Sequence, residues 1–177
     1  MTLRKASCRR PAGILLPAGR TRLPVTSAPR WLVLSVEQTR GRLDCGLQGV
    51  AEPVSSVIDA SVVLAWLQDE PGSDVAERHL VEGIIGAANW SEVLQKARQH
   101  GAQPGLVSRL LTSFGLQVVD VTAEDAELAA DLWVAGSKLS LADRLCLALG
   151  LRLDVKVVTT DAEWKSVRRG PRLILAR

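Results

Sequence analysis

The sequence has few of the residues that build disulfide frameworks or zinc sites. Its three cysteines, Cys8, Cys45 and Cys146, cannot all pair with one another, and none belongs to a C-x-x-C pair. The only histidines, His79 and His100, lie on polar stretches with no cysteine nearby, so we interpret both as solvated surface residues. These absences argue against a disulfide scaffold and a zinc site, and a reducing cytoplasm is the expected compartment.

Long hydrophobic runs are also missing. No apolar run approaches the ~18 residues needed to cross a bilayer, so no contact with a membrane is expected. The short apolar stretch at residues 13–19 is interrupted by Pro17, which argues against a secretory signal.

Acidic residues are scarce in the first part of the chain. Residues 1–50 contain nine Lys and Arg against two Asp and Glu, whereas residues 51–177 contain 13 against 17. We therefore predict a basic, disordered extension over residues 1–53, in which residues 31–36 could form an isolated strand, and one folded domain over residues 54–177. The extension is expected to be dispensable, as upstream sequence read from a mis-assigned start would be. The competing interpretation is a basic tail that binds RNA phosphates.

From residue 54 onward, short apolar strands alternate with amphipathic helices. Strands are predicted over residues 57–58, 83–88, 116–121, 155–160 and 172–176, and helices fill the intervals. Strands that are apolar on both faces and separated by helices are typical of a parallel sheet covered on two sides. The sequence therefore predicts a three-layer α/β/α domain with a central parallel sheet.

Three local features sharpen this prediction. Asn89 is expected to cap the third helix, and Leu128, Ala129, Leu132 and Trp133 are expected to share the apolar face of another. A set of further acids is interpreted as lying on solvated helix faces, namely Asp69, Glu70, Asp74, Glu77, Glu124, Asp125 and Asp131.

Four other carboxylates are predicted to meet at one edge of the sheet. Asp59 and Asp161 follow the ends of strands, whereas Glu92 and Asp143 lie in first helical turns. Sites in open α/β sheets form outside the carboxyl ends of the strands. Four close carboxylates with no Lys or Arg among them would repel one another unless divalent cations neutralise them, and oxygen ligands suit Mg²⁺ or Mn²⁺.

Each of these acids also has a purely local interpretation. Ser140 and Asp143 fit the S-x-x-D pattern of a helix capping box, and Glu92 could form such a box with Asn89. Asp59 and Asp161 could each cap the helix that follows it.

Four segments together resemble the PIN-domain ribonucleases, specifically the VapC-type toxins of type II toxin–antitoxin systems. They are SSVIDASVVLAWL, NWSEVLQK, LSLADRLCLALGLRL and VVTTDAEW, of which SLADRLCLAL is the most specific. The resemblance runs from about Val54 to Arg177. It implies that the four acids of the family are Asp59, Glu92, Asp143 and Asp161, and that its hydroxyl residue before the fourth acid is Thr159 or Thr160.

The resemblance implies a Mg²⁺-dependent endoribonuclease that also accepts Mn²⁺. Asp59 and Asp143 would bind the metal directly, Asp161 would complete the site, and Glu92 would hold or orient water. Attack by water would leave a 5′-phosphate and a 3′-hydroxyl. The expected substrates are structured RNAs such as tRNA or ribosomal RNA, and the expected partners are a cognate antitoxin and a second copy of the chain. Four cations near the acids would either contact the RNA backbone or be ordinary surface residues: Lys96, Arg98, Arg144 and Lys165.

Two other functions are considered. A phosphotransferase or phosphatase with an acidic pocket after the first strand would be expected to carry D-x-D, but the chain has Asp59, Ala60 and Ser61 there. A catalytically inactive PIN-like domain that only binds a partner or RNA would keep the same fold. Mg²⁺-dependent cleavage of RNA distinguishes the nuclease from both alternatives.

Overall fold

A computed structural model describes Arg30 and residues 55–176, and its centre is a parallel sheet of five strands. They are β1 (Val57–Ile58), β2 (Ile84–Gly86), β3 (Gln117–Val119), β4 (Val157–Thr159) and β5 (Leu173–Leu175). The spatial order is β3-β2-β1-β4-β5, so β1 lies in the middle. Val57 of β1 pairs with Ile84 on one side and with Val157 on the other. The predicted parallel sheet is confirmed, whereas the predictions for residues 1–29 and 31–53 lie outside the described residues.

Within residues 55–176, six α-helices and one 3₁₀ helix connect or follow the strands. They are α1 (Ala60–Gln68), α2 (Ser73–Leu80), α3 (Ala87–Gln99), α4 (Pro104–Ser113), α5 (Ala123–Asp131), α6 (Leu141–Arg152) and the 3₁₀ helix Ala162–Ser166. Proline and glycine mark several of these boundaries, as expected from their backbone preferences. Pro104 opens α4, and Gly115, at φ 80°, follows its end.

The helices cover both faces of the sheet, which gives the domain two hydrophobic cores. Ile58, Ile85 and Val158 point into the core that α1 to α4 form. Their strand neighbours Val57 and Val157 point into the other core, which α6, Leu132 and Trp164 complete. Successive residues of a strand face opposite sides, so both sides of these strands must be apolar. The three-layer α/β/α arrangement is therefore confirmed.

Gly150 lets α6 approach the sheet closely. A Cβ atom at this position would lie 2.3 Å from Cγ2 of Val157 in β4 and 3.1 Å from Cγ of Pro171. Glycine therefore keeps α6 against β4, and the first turn of the same helix carries Asp143.

A buried ion pair joins α5 to α6. The Asp125 side chain is only 2% exposed and accepts hydrogen bonds from Nε and Nη2 of Arg152 at 2.8 and 3.1 Å. Asp125 also forms a capping box with Thr122 at the start of α5. Although burial raises the pKa of Asp125, the hydrogen bonds from Arg152 and Thr122 lower it overall. The prediction of a solvated helix face is therefore wrong for Asp125.

Four other local predictions are corrected. Helix α3 begins at Ala87 with Gly86 as its N-cap, so Asn89 lies inside the helix and does not cap it. Helix α5 ends at Asp131, and Trp133, beyond it, is 61% exposed and does not join the apolar face. His79 is half-buried and its Nδ1 shares a 3.1 Å hydrogen bond with Ser56 Oγ. Asp69 and Glu77 contact Arg30, as described below.

No helix in the described part of the chain combines the length and the hydropathy that crossing a bilayer requires.

Candidate active site

Asp59 lies at the centre of the sheet edge, directly after β1. Its side chain is 5% exposed and is surrounded by hydrogen-bond donors. Asn89 Nδ2 donates to Asp59 Oδ1 at 3.1 Å, Thr159 Oγ1 donates to Oδ2 at 3.1 Å, and the Ser61 hydroxyl also donates to Oδ2. Asp59 stands at the N-cap position of α1, but its side chain makes no capping hydrogen bond. The local capping interpretation therefore does not account for this carboxylate.

The charge of Asp59 is poorly compensated. Burial raises the pKa of Asp59 to about 6, and the negative charges of Asp143 and Glu92 add smaller contributions, although hydrogen bonds from Ser61 and Thr159 oppose the shift. A carboxylate with this pKa keeps its charge at neutral pH only at an energetic cost. A bound cation would remove that cost.

Asp143 combines a local role with a place near Asp59. Its Oδ2 accepts a 2.7 Å hydrogen bond from the backbone N–H of Ser140, and Ser140 Oγ accepts from the N–H of Asp143 at 3.1 Å. The capping box is therefore present, as the local interpretation predicted. The same carboxylate raises the pKa of Asp59, and Oδ1 takes no part in the cap. Capping and ligand binding are compatible because they use different oxygens.

The charges of Asp59 and Asp143 also act on Cys146, which lies one turn further along α6. Burial raises the pKa of its thiol well above the usual range, and the charges of Asp59 and Asp143 raise it further. The thiol therefore stays protonated at neutral pH, which makes it unsuitable as a nucleophile.

Glu92 reaches the site from α3, but not from a first turn. Because α3 begins at Ala87, Glu92 lies in the second turn and the predicted capping box with Asn89 does not form. Glu92 is half-buried, and its charge still acts on Asp59. Asn89 turns instead towards Asp59, fully buried, and its Oδ1 has no hydrogen-bond partner.

Asp161 is connected to Asp59 through Thr159 and lies further out. The backbone N–H of Asp161 donates to Thr159 Oγ1 at 3.1 Å, and the same hydroxyl donates to Asp59. The exposed carboxylate of Asp161 caps the 3₁₀ helix by accepting from Glu163 N at 2.8 Å. Asp161 is not among the charges that act on Asp59. The charges of Glu92 and Asp143 therefore act on Asp59, whereas the exposed Asp161, at the rim, does not.

Two residues of the site were missed by the sequence reasoning, namely Ser61 and Asn89. The backbone N–H of Thr160 donates to Ser61 Oγ at 3.2 Å, so Ser61 links the end of β4 to Asp59. Ser61 occupies the position where a phosphotransferase would be expected to carry its second acid. Its spacing of two residues from Asp59 was the available signal. Asn89 was noticed in the sequence, but its place near the start of the third helix was interpreted as a helix cap.

The cations near the site differ in their availability. Arg144 Nη1 donates to the carbonyl of Ala129 at 2.9 Å, so this guanidinium braces α5 against α6. Arg98 and Lys165 are exposed, and Lys96 is half-buried. No Lys or Arg within the described residues forms an ion pair with Asp59, Glu92 or Asp143.

The donor set fits a hard divalent cation that keeps most of its water. An ionised carboxylate has about four lone-pair sites, and Asp59 uses three of them for Asn89, Ser61 and Thr159. One site of Asp59 and Oδ1 of Asp143 then remain for an ion. Mg²⁺ typically takes one or two protein carboxylates together with water and phosphate oxygens. Among the described residues, no three Asp, Glu, His or Cys side chains form a ready-made metal site.

Several solved structures from toxin–antitoxin systems have a similar fold. A toxin–antitoxin complex from Klebsiella pneumoniae matches with a TM-score of 0.55 and 17% identity, covering 70% of this chain and 98% of that one. DNA-bound VapBC from Salmonella typhimurium matches with a TM-score of 0.55 and 14% identity, covering 70% of this chain and 99% of that one. VapC20 from Mycobacterium tuberculosis, described as a Sarcin-Ricin loop cleaving toxin, matches with a TM-score of 0.50 and 13% identity. The match covers 64% of this chain and 95% of that one.

The family itself is shown by the sequence. Among curated proteins, none matches this chain. The PIN domain family model, however, matches residues 56–170, which include β1, all four predicted acids and the 3₁₀ helix. The chain therefore belongs to the PIN domain family.

Proposed function

We propose that this protein is the toxin of a toxin–antitoxin pair and a Mg²⁺-dependent endoribonuclease. The observation that carries the proposal is the buried carboxylate of Asp59, whose pKa is raised to about 6 beside Asp143 and Glu92, and with which no Lys or Arg of residues 55–176 forms an ion pair. Buried charges in proteins are normally paired or bound to metal ions. The fold shared with VapC20, a Sarcin-Ricin loop cleaving toxin, supports RNA as the substrate.

Each residue of the site has a distinct task in this proposal. Asp59 and Asp143 hold the ion, which when bound polarises the scissile phosphate and activates water. Asn89, Ser61 and Thr159 fix the Asp59 carboxylate through three hydrogen bonds. Glu92 orients the attacking water, and Asp161 at the rim completes the site when substrate is bound. Water attacks phosphorus and the bond to the 3′-oxygen breaks, leaving a 5′-phosphate and a 3′-hydroxyl.

A groove beside Asp161 supports the binding of a polyanion. It has a volume of about 990 Å³ and lies between the α5–α6 connection and residues 161–169. Its wall includes three exposed cations, Lys165, Arg168 and Arg169, whereas Lys138 is paired with Glu163 at 2.7 Å. Exposed cations along a groove that reaches Asp161 suit a phosphate backbone. We propose that the RNA strand enters the site along this groove.

Removing two of these cations should weaken RNA binding without removing the chemistry. The variant Arg168→Ala/Arg169→Ala is expected to raise KM for RNA about tenfold at physiological salt and to reduce the slope of log Kd against log salt by about 1 to 2. Its kcat and its response to Mg²⁺ should stay at the wild-type values. Binding measured over a salt series tests this, with Arg109→Ala on α4 as the control because Arg109 is exposed and does not line the groove. An unchanged slope would contradict the proposed path.

Partners follow from the same resemblance. The neighbours in Klebsiella pneumoniae and Salmonella typhimurium are toxin–antitoxin complexes, so we propose a cognate antitoxin for this chain. We also propose a homodimer. Two large apolar side chains outside the groove, Trp133 and Leu141, are 61% and 60% exposed near the α5–α6 connection and supply a surface for protein contact. Structured RNA, tRNA or ribosomal RNA, is the proposed substrate class.

Metal binding can be tested separately from cleavage. A ligand that prefers the folded state stabilises it, so Mg²⁺ at one hundred times its Kd should raise the melting temperature by about 5 to 10 °C. The shift should vanish in Asp59→Asn/Asp143→Asn and persist in Glu124→Gln/Asp131→Asn, which removes two exposed acids of α5. Equal shifts in all three proteins would place the ion elsewhere.

The second candidate is a PIN-like domain without catalysis. It shares the fold and could share the metal shift, so only cleavage separates the two functions. Total RNA incubated with protein and Mg²⁺, followed by sequencing of the new ends, would show discrete cuts for a nuclease. Intact RNA despite a clear metal shift would favour the inactive domain.

A further inference from the structure

Arg30 is bound on the outside of the domain, between α1 and α2. Its guanidinium lies over the ring of Trp66, with Cζ 4.7 Å from the ring centroid. Nη2 donates to Asp69 Oδ1 at 3.0 Å, and Nη1 lies 3.8 Å from Glu77 Oε2. A planar cation stacked on an indole and held by two carboxylates combines the interactions that favour arginine over lysine.

The receiving surface is held in place by the folded domain. Trp66 is 5% exposed and packs edge-on against Phe114, with ring centroids 5.2 Å apart and an interplanar angle of 83°. Its Nε1 donates to Glu77 Oε2 at 3.2 Å, so the indole and the second carboxylate position each other. The site is therefore built from residues whose positions are fixed by packing and hydrogen bonds.

The electrostatics of α1 also call for a cation at this place. Asp69 is the C-cap of α1, in the left-handed region at φ 55°, and the last turn of α1 contains no basic residue. The C-terminus of a helix carries partial negative charge, so an acid there is unfavourable unless a cation covers it. Arg30 supplies that positive charge, and its side chain is only 30% exposed.

We infer that Trp66, Asp69 and Glu77 form a guanidinium-binding site, which holds Arg30 and attaches the N-terminal segment to the PIN domain. The inference does not depend on the nuclease activity, because the site lies on α1 and α2 and uses none of the four acids. It runs against the expectation that residues 1–53 are dispensable. A basic segment with an arginine is the class of ligand that the site accepts.

Substitutions in the full-length chain test the site through stability. Arg30→Ala should lower the melting temperature by about 3 to 6 °C. Arg30→Lys should lower it by at least half as much, because the lysine ammonium is not planar and cannot stack on the indole while donating to the carboxylates as a guanidinium does. Arg40→Ala, in the same basic segment, is the control and should leave the melting temperature within about 1 °C of wild type. Equal melting temperatures for Arg30→Ala and Arg40→Ala would overturn the inference.

Trypsin provides a second readout that reports on the arginine itself. Trypsin must take the arginine side chain into its own pocket, so Arg30 can be cleaved only when it leaves the site. Initial cleavage after Arg30 should be about tenfold faster in Asp69→Asn/Glu77→Gln than in wild type. Cleavage after Arg40 should be equal in the two proteins, and Asp74→Asn, an exposed acid of α2, should behave as wild type. Equal cleavage after Arg30 in all proteins would show that the site does not hold Arg30.

Discussion

Replacing Asp143 by asparagine is expected to reduce RNA cleavage by at least about 100-fold while leaving the free energy of unfolding nearly unchanged. Cleavage and stability respond differently because one oxygen of the Asp143 carboxylate caps the helix and the other is available to an ion. Asparagine keeps a carbonyl oxygen that can accept from Ser140 N, as Asp143 Oδ2 does at 2.7 Å. It loses the negative charge that acts on Asp59 and that an ion requires. Cleavage rates and chemical denaturation of the same preparations provide the measurement.

The matched variant Asp143→Ala removes the hydrogen bond from Ser140 N to the Asp143 side chain, which is half of the capping box, as well as the charge. It should lose cleavage to the same extent and, in addition, lower the free energy of unfolding by about 1 kcal/mol. If Asp143→Asn cut RNA at the wild-type rate, the segment from Ser140 to Asp143 would be a helix start and nothing more.

Replacing Asp125 by alanine is expected to have the largest effect on stability, a loss of about 3 to 5 kcal/mol. The substitution leaves Arg152, whose side chain is 19% exposed, without its partner and removes the capping box of α5. The active-site carboxylates are untouched, so cleavage below the new melting temperature should be retained. Asp131→Ala, at an exposed position of the same helix, should change stability by no more than about 0.5 kcal/mol.

The same ion pair has a predictable pH dependence. The pKa of Asp125 is lower in the folded state than in the unfolded state. The ionised carboxylate therefore adds to the free energy of unfolding above the unfolded-state pKa, and this addition is lost as the pH falls through the folded-state pKa. Asp125→Ala should therefore lose its stability deficit relative to wild type in acid. The double replacement Asp125→Leu/Arg152→Met removes both charges and should recover much of the lost stability. A loss below about 1 kcal/mol for Asp125→Ala would mean that the pair is not structurally important.

The sheet and the position of Asp59 could be predicted because they depend on strong local signals. Short β-branched runs that are apolar on both faces predicted β1 and β4, and the carboxyl end of the first strand identified Asp59. The capping box of Ser140 and Asp143 was predictable for the same reason, since all its partners lie within four residues.

Other features depended on contacts between distant segments, which local patterns do not encode. Asn89 has a strong preference for helix N-caps, but here Gly86 precedes the first turn and the amide turns to Asp59, 30 residues away. Asp125 looked like one more acid on an exposed helix, and only Arg152, 27 residues later, explains its burial. Asp161 follows its strand as predicted, yet its side chain caps the 3₁₀ helix, and it is not among the charges that act on Asp59.

The most direct test of the central claim is the metal dependence of RNA cleavage by the wild-type protein. RNA is incubated with protein in EDTA, and Mg²⁺ is then added in excess over the chelator to the same sample. If Asp59 and Asp143 hold a catalytic Mg²⁺ ion, RNA is not cleaved in EDTA. Cleavage then recovers fully after Mg²⁺ is added, and the products carry 5′-phosphate ends. Cleavage that continues unchanged in EDTA, or RNA that stays intact at saturating Mg²⁺, would contradict this assignment.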